Sequence, residues 1–188
     1  MYMYINKLYQ ECCKDQADPI KIKQYISEDY DINEQDDHGW TALMWICASI
    51  NCQNQLEIVK LLLDAGANVN IQNFRCEGKK TALEYICHKT PINIQIFKLL
   101  LEAGYDVNLA DIKGNTILMY LCKKKCYYDY WNLINYEAVK LLIDYGADIN
   151  LKNIKGKTPM DIASKYNKKL VNLFPKKSLE NNYSYINI

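Results

Sequence analysis

Four stretches of this chain restate one another, and that repetition constrains the fold more than any single residue does. "GWTALMWIC" precedes "LEIVKLLLDAGANVN", and "KTALEYIC" precedes "IQIFKLLLEAGYDVN". "GNTILMYLC" then leads to "YEAVKLLIDYGADIN", and "GKTPMDIA" leads to "KKLVNLF". Thr41, Thr81, Thr116 and Thr158 open the units, at separations of 40, 35 and 42 residues. Within a unit, Leu43, Ile46 and Cys47 share one helical face, and Ile58, Val59, Leu62 and Leu63 share another. Gly66, Gly104 and Gly146 follow the second segment where a left-handed helix terminus is needed. Polar stretches such as "DIKGN" and "NIKGK" supply a reversing turn before the next Thr. A single helical pair cannot bury both its faces, so such units must stack.

The double pattern, D-x-x-G-x-T-x-L followed by a "KLLLDAGANVN" block, strongly resembles the ankyrin repeat over roughly residues 2 to 174. The resemblance implies an all-α ankyrin-repeat solenoid of stacked helix-turn-helix units with protruding β-turn fingers. One domain, residues 1–175, is expected to hold five repeats: 2–35 as an N-terminal cap, 36–72, 73–110, 111–152, and 153–175 as a C-terminal cap. Residues 176–188 are expected to form a tail. In the degenerate first repeat, Pro19 opens the outer helix, Ile22, Tyr25 and Ile26 face inward, and Asp29 replaces the turn Gly. "FRCEGKKTAL" lengthens one finger, and "CYYDYWNLINY" lengthens the connection between the helices of the fourth repeat.

The cysteines raise the question of chemistry. Cys47, Cys87 and Cys122 each lie six residues after their Thr. Equivalent positions in a stack are about 8–10 Å apart, whereas zinc draws each thiolate to about 2.3 Å. These three therefore cannot share a metal and read as small apolar fillers. Cys76 and Cys126 lie in the lengthened finger and loop, which leaves a thiol-based redox protein as one alternative. His88 beside Cys87 has no orienting third group, so no enzyme activity, metal or cofactor is expected. No basic region followed by an apolar run opens the chain, and no apolar run is long enough to span a bilayer. The expected setting is cytoplasmic, with reduced thiols and no membrane insertion.

Proteins of this family act by binding another protein along a concave groove of finger tips and inner helices. Carried over by position, the candidate partner-binding residues are Asp37, His38 and Trp40, then Lys80, His88 and Lys89, then Lys113, Asn115, Lys123 and Lys124, then Lys155 and Lys157. Trp40 is either an exposed binding anchor or a ring folded over the neighbouring finger. The first reading predicts that Trp40→Ala weakens binding and leaves folding nearly intact. Trp45, Tyr85 and Tyr120, each four residues after their Thr, read as packing between repeats. Tyr127, Tyr128, Tyr130 and Trp131 form either a lid on the stack or a second contact patch.

Charge is uneven along the chain. Residues 1–40 carry a net −5, residues 41–110 balance, and residues 111–188 carry +6. The lysines are either a solvated face or a docking site for a partner with an acidic segment. A monomeric, non-catalytic module that sequesters, inhibits or scaffolds a partner protein is expected. Nucleic-acid binding by the lysine-rich half is the alternative, disfavoured by a single Arg and an overall charge of +1. The Lys, Asn, Ile and Tyr bias matches AT-rich coding. In this the chain resembles small ankyrin proteins of intracellular bacteria and large DNA viruses, which act on host proteins.

Overall fold

The computed structural model describes residues 7–28, 30–74, 79–89, 91–124 and 129–174, apart from the side chains of 129–131. Among these residues the helices alternate between an inner and an outer layer. The inner layer holds α1 (Lys7–Cys12), α3 (Ala42–Ala48), α5 (Ala82–His88), α7 (Ile117–Lys123) and α9 (Pro159–Tyr166). The outer layer holds α2 (Pro19–Ser27), α4 (Gln55–Asp64), α6 (Ile94–Glu102) and α8 (Asp129–Asp144), closed by a 3₁₀ helix, Lys168–Leu173. Strand pairing among the described residues is confined to an isolated antiparallel bridge between Ala110 and Thr116. The result is the all-α solenoid that the repeats imply.

The repeated residues act where the helices begin and end. Thr41 and Thr158 take extended N-cap positions and accept from the backbone N–H groups of Met44 and Asp161. At α5 the cap comes from the third helical residue, because the Glu84 carboxylate accepts both the Thr81 N–H and the Thr81 hydroxyl. Gly66, at φ 87°, ends α4 in the left-handed region. There Ala67 N–H reaches Leu62 O at 2.9 Å and Gly66 N–H reaches Leu63 O at 3.0 Å, so the last carbonyls are satisfied. Gly104 and Gly146 repeat this geometry. Asp18 caps α2, with Pro19 in its first turn as expected.

Each hairpin is tied to the next by an asparagine. Asn33 Oδ1 accepts from Asn68 N–H at 2.7 Å, Asn70 Oδ1 from Asp106 N–H at 2.8 Å, and Asn108 Oδ1 from Asp148 N–H at 2.7 Å. Their amide groups donate to the carbonyls of Gly66, Gly104 and Gly146. The stack thus carries a hydrogen-bonded seam at the backs of its fingers. Between the helix layers, Ile46, Ile58, Leu62, Leu83, Ile86, Ile96, Phe97 and Leu100 are fully buried. Cys12, Cys47, Cys87 and Cys122 join this core as small fillers, and burial pushes the Cys47 and Cys122 thiols up to about 12.

One element differs from expectation. The connection in the fourth repeat is not a loop throughout, because α8 is helical from Asp129 and runs 16 residues, against 10 for α4. Residues 129–144 contain no Gly or Pro, so nothing in them interrupts an i→i−4 ladder once Ile134, Ala138, Val139 and Leu142 pack inward. Buried Asn135 then reaches back to the Leu121 carbonyl at 3.2 Å, near the C-terminal end of α7. Gln55 does the same for α3, donating to Ile46 O at 2.6 Å and Ser49 O at 3.1 Å. Asp29, Cys76, Cys126, Tyr127, Tyr128, the Tyr130 and Trp131 side chains and the 176–188 tail lie outside the described residues.

Candidate partner-binding groove

The fingers that border the inner helices share one closure. Asp36 N–H donates to Trp40 O at 2.9 Å, Asp111 N–H to Asn115 O at 2.9 Å, and Asn153 N–H to Lys157 O at 3.1 Å. Asn73 N–H closes the lengthened finger in the same way on Lys80 O at 3.0 Å. In each case the side-chain oxygen of the first residue accepts from the N–H of the last. A second atom of that side chain orients an aromatic residue on the helix. Trp45 Nε1 donates to Asp36 Oδ2 at 2.9 Å, Tyr120 OH donates to Asp111 Oδ2 at 2.7 Å, and Asn73 Nδ2 donates to Tyr85 OH at 2.7 Å. The last repeat has Ile162 there and makes no such bond. Sequence reasoning placed Trp45, Tyr85 and Tyr120 as packing residues but passed over Asp36, Asn73 and Asp111, which hold them. The signal was present, as an Asp or Asn five residues before each Thr, or eight in the lengthened finger.

Asp111 shows the electrostatics. Burial pushes its carboxyl up, but hydrogen bonds from Tyr120, Asn115 and Lys113 outweigh that and hold it below the usual carboxylate range. Burial and the bond to this carboxylate both push the Tyr120 phenol well up.

The candidate residues part into three groups. Trp40 is half-buried and lies between Trp45 and Tyr85, at centroid separations of 4.6 and 4.3 Å. Lys80 sits over the far ring, 5.7 Å from the Tyr85 centroid. The expectation that removing Trp40 costs no packing is therefore corrected: two neighbouring rings pack on this indole, and it packs against the core. Asp37 and His38 are exposed at the tip of the same finger.

Lys89 and Lys124 form the second group. The Lys89 ammonium donates to the Ser49 carbonyl, and the Lys124 ammonium donates to the carbonyls of Cys87 and Lys89. Asn167 continues the series onto Lys124 O at 3.4 Å. These groups tie the C-terminal end of one inner helix to the next, where cations oppose the helix dipole favourably. Lys89 and Lys124 thus act as ties between neighbouring repeats in the described structure.

Lys113, Asn115, Lys123, Lys155 and Lys157 do come together, with Lys165. They line one cleft of about 590 Å³ between α7 and α9 and their fingers. Asn115 belongs also to the scaffold, donating to Asp111 Oδ2 at 3.1 Å and accepting from Asn153 at 2.9 Å. Asp161 is the carboxylate in the cleft, occupied by the Thr158 N–H and held low by that bond. Among the described residues no ion pair involves Lys113, Lys123, Lys155 or Lys157. Apolar side chains project beside these cations. Phe74, Ile112 and Ile154 occupy the same position at successive finger tips and are 61, 55 and 71% exposed. Phe74, which the sequence reading did not single out, lies against Gly39. A Cβ on Gly39 would meet the Phe74 ring at 2.6 Å, so Gly is required by both space and its φ of 79°. The His88 ring centroid lies 6.3 Å from that of Tyr120, and partial desolvation of the otherwise solvent-facing ring, together with Lys80 and Lys124, lowers its pKa.

Comparison with known proteins agrees with this geometry. The family model described as ankyrin repeats (3 copies) matches residues 10–111, 50–134 and 92–183. Among similar curated proteins of Acanthamoeba polyphaga mimivirus, putative ankyrin repeat protein L91 is 43% identical over 72 residues, 36% of this chain and 11% of that protein. Putative ankyrin repeat protein L86 is 45% identical over 47 residues, 25% of this chain and 8% of that protein. Putative ankyrin repeat protein L289 is 49% identical over 43 residues, 23% and 8% of the two chains. The matched stretches thus span about a tenth of the length of these relatives. Overlapping family matches reach from residue 10 to residue 183, across all of the capped inner helices that follow α1, and the chain belongs to the ankyrin-repeat family.

Proposed function

We propose that this chain is a non-catalytic protein-binding module whose α7–α9 groove takes an acidic segment of a partner protein and so sequesters or inhibits that partner. The observation that carries the reading is the 590 Å³ cleft, which Lys113, Lys123, Lys155, Lys157 and Lys165 line with Asp161 as the local carboxylate. Ankyrin repeats are generally protein-interaction modules, and the exposed Ile112 and Ile154 beside the lysines favour a protein over a polyphosphate. A single Arg in the chain also leaves little capacity for bidentate phosphate contacts. Thiol chemistry is disfavoured at Cys47, Cys87 and Cys122, whose burial pushes each thiol up. No helix among the described residues is long and apolar enough to cross a membrane. The reading extends to a cytoplasmic setting and, given the mimivirus relatives, to a host-cell target.

The test is capture of partners by the unmodified chain and by a Lys113→Glu, Lys155→Glu, Lys157→Glu variant, with protein and nucleic acid recovered separately. A specific protein retained by the first and lost by the second is the expected result. Retention of nuclease-sensitive nucleic acid with a steep salt dependence would replace the reading with nucleic-acid binding.

A further inference from the structure

The inner layer is not evenly closed. The backbones of α1 and α3, of α3 and α5, and of α7 and α9 pack at close range, whereas α5 and α7 do not close on each other in the same way. Between them lies a second cleft, of about 310 Å³. Buried Cys87, Ile117 and Leu121 line it, and His88 and Tyr120 stand at its edge. Glu84 sets this junction apart. The residue three after the Thr is Met44 in α3 and Met119 in α7, both about 1% exposed, and methionine fills irregular gaps. In α5 that residue is Glu84, whose carboxylate is turned back onto its own N-cap, Thr81. A side chain that caps its own helix does not pack the space toward the next one.

The two clefts lie on either side of α7 and share Tyr120 and Lys123. The geometry points to an anchor pocket: the acidic segment taken by the α7–α9 groove carries one bulky apolar side chain, Trp, Phe or Leu, that seats between α5 and α7. This rests on the groove reading above and specifies the partner further. At about 310 Å³ the cleft lies at the lower end of the range for small-ligand pockets and has room for one bulky side chain. The charges select its chemistry. Glu84 lines the pocket and repels a carboxylate, while Lys123 at the shared edge attracts one, so the acidic residues flank the anchor and do not fill the pocket. An anchor desolvated beside a charged rim is where interface energy concentrates.

The probe is an array of short Glu/Asp peptides, each carrying a single Trp, Leu or Ala, read by fluorescence anisotropy with the full chain at low salt. The expected result is that the best Trp or Leu peptides bind at least about tenfold tighter than their Ala counterparts. The methyl resonances of Ile117 and Leu121 shift only with the apolar peptides. Cys87→Met, which fills the pocket from its wall, removes the advantage and leaves the affinity for Ala peptides unchanged. If that variant does not fold, the methyl shifts in the unmodified chain decide. Equal affinities with Ile117 and Leu121 unmoved overturn the anchor and leave the lysine groove standing. An apolar advantage that survives Cys87→Met with those methyls unmoved also overturns it. No binding of any acidic peptide at low salt overturns both the anchor and the groove.

Discussion

The α3–α5 junction and the α7–α9 junction are built on the same backbone and have opposite surfaces. Both sit beneath fingers closed by an Asp or Asn, and both place a Thr at the N-cap position of their helices. The residue just before that Thr differs. At the first junction it is Trp40, which slides between Trp45 and Tyr85 and fills the space between neighbouring fingers. At the second it is Asn115 and then Lys157, neither of which stacks, and the 590 Å³ cleft remains open. The position before the Thr thus packs within the chain at one junction and stays unstacked at the other. A solenoid tolerates this because each repeat touches only its neighbours, so a junction can open without unravelling those beyond it.

The largest effect expected from breaking this contrast is at Trp40. Trp40→Ala removes the middle ring of three and is expected to cost about 2–3 kcal/mol of stability, less than a fully buried tryptophan would. Urea denaturation with tryptophan fluorescence and circular dichroism as parallel probes measures it. A loss below about 0.5 kcal/mol would mean that the stack contributes contact without stability, and would restore Trp40 as a surface residue.

The opposite pattern is expected at the open junction. Reversing Lys113, Lys155 and Lys157 to Glu should leave stability within about 0.5 kcal/mol, since none of the three is ion-paired in the described structure. Affinity for an acidic segment should fall by about 2 kcal/mol, mostly through slower association at low salt. Surface plasmon resonance at two ionic strengths separates the rates. Unchanged association would show that the lysines are a solvated face.

Lysine illustrates what the sequence does and does not make legible. The repeat, the threonines that open its units and the buried cysteines could all be read, because each follows from a periodicity that only one arrangement satisfies. Lys89 and Lys123 could not be told apart, since both sit at inner-helix ends and both look solvated. Their roles depend on whether a neighbouring carbonyl lies within reach, and that is a property of the stack. Lys89 finds Ser49 O, half-buried, and burial lowers its pKa, whereas Lys123 is exposed over the cleft. Trp40 was ambiguous for the same reason: its depth is set by Tyr85, one repeat away. Lys89→Met is therefore expected to cost about 1.5 kcal/mol, the value of a charge-assisted hydrogen bond, and Lys123→Met close to nothing. Paired thermal melts check this, and equal costs would remove the distinction between tie and groove lysines.

The smallest effect is expected at Glu84, which lines the 310 Å³ cleft and caps α5 through Thr81. Burial raises its pKa, and the Thr81 bonds only partly offset that. The folded state therefore binds the Glu84 proton more tightly than the unfolded chain does. By linkage, this group's contribution to stability falls as pH rises from the ordinary carboxylate range through the raised pKa, and is least favourable at neutral pH. Glu84→Gln keeps an acceptor for the Thr81 N–H, as capping boxes allow, and removes the buried charge. The variant should be more stable than the unmodified chain at neutral pH, by less than about 1 kcal/mol. That advantage should shrink toward zero as pH falls below the ordinary carboxylate range. Asp111 has the opposite sign, since its pKa is lowered and its contribution is lost on acidification, but it is common to both proteins and cancels in the difference. Melting temperatures of the two proteins across an acidic pH series give the comparison directly. A variant less stable than the unmodified chain at neutral pH would show that the charge itself holds the cap. Glu84 would then be kept at the α5–α7 junction for the strength of that cap, and the cleft beside it would be a by-product.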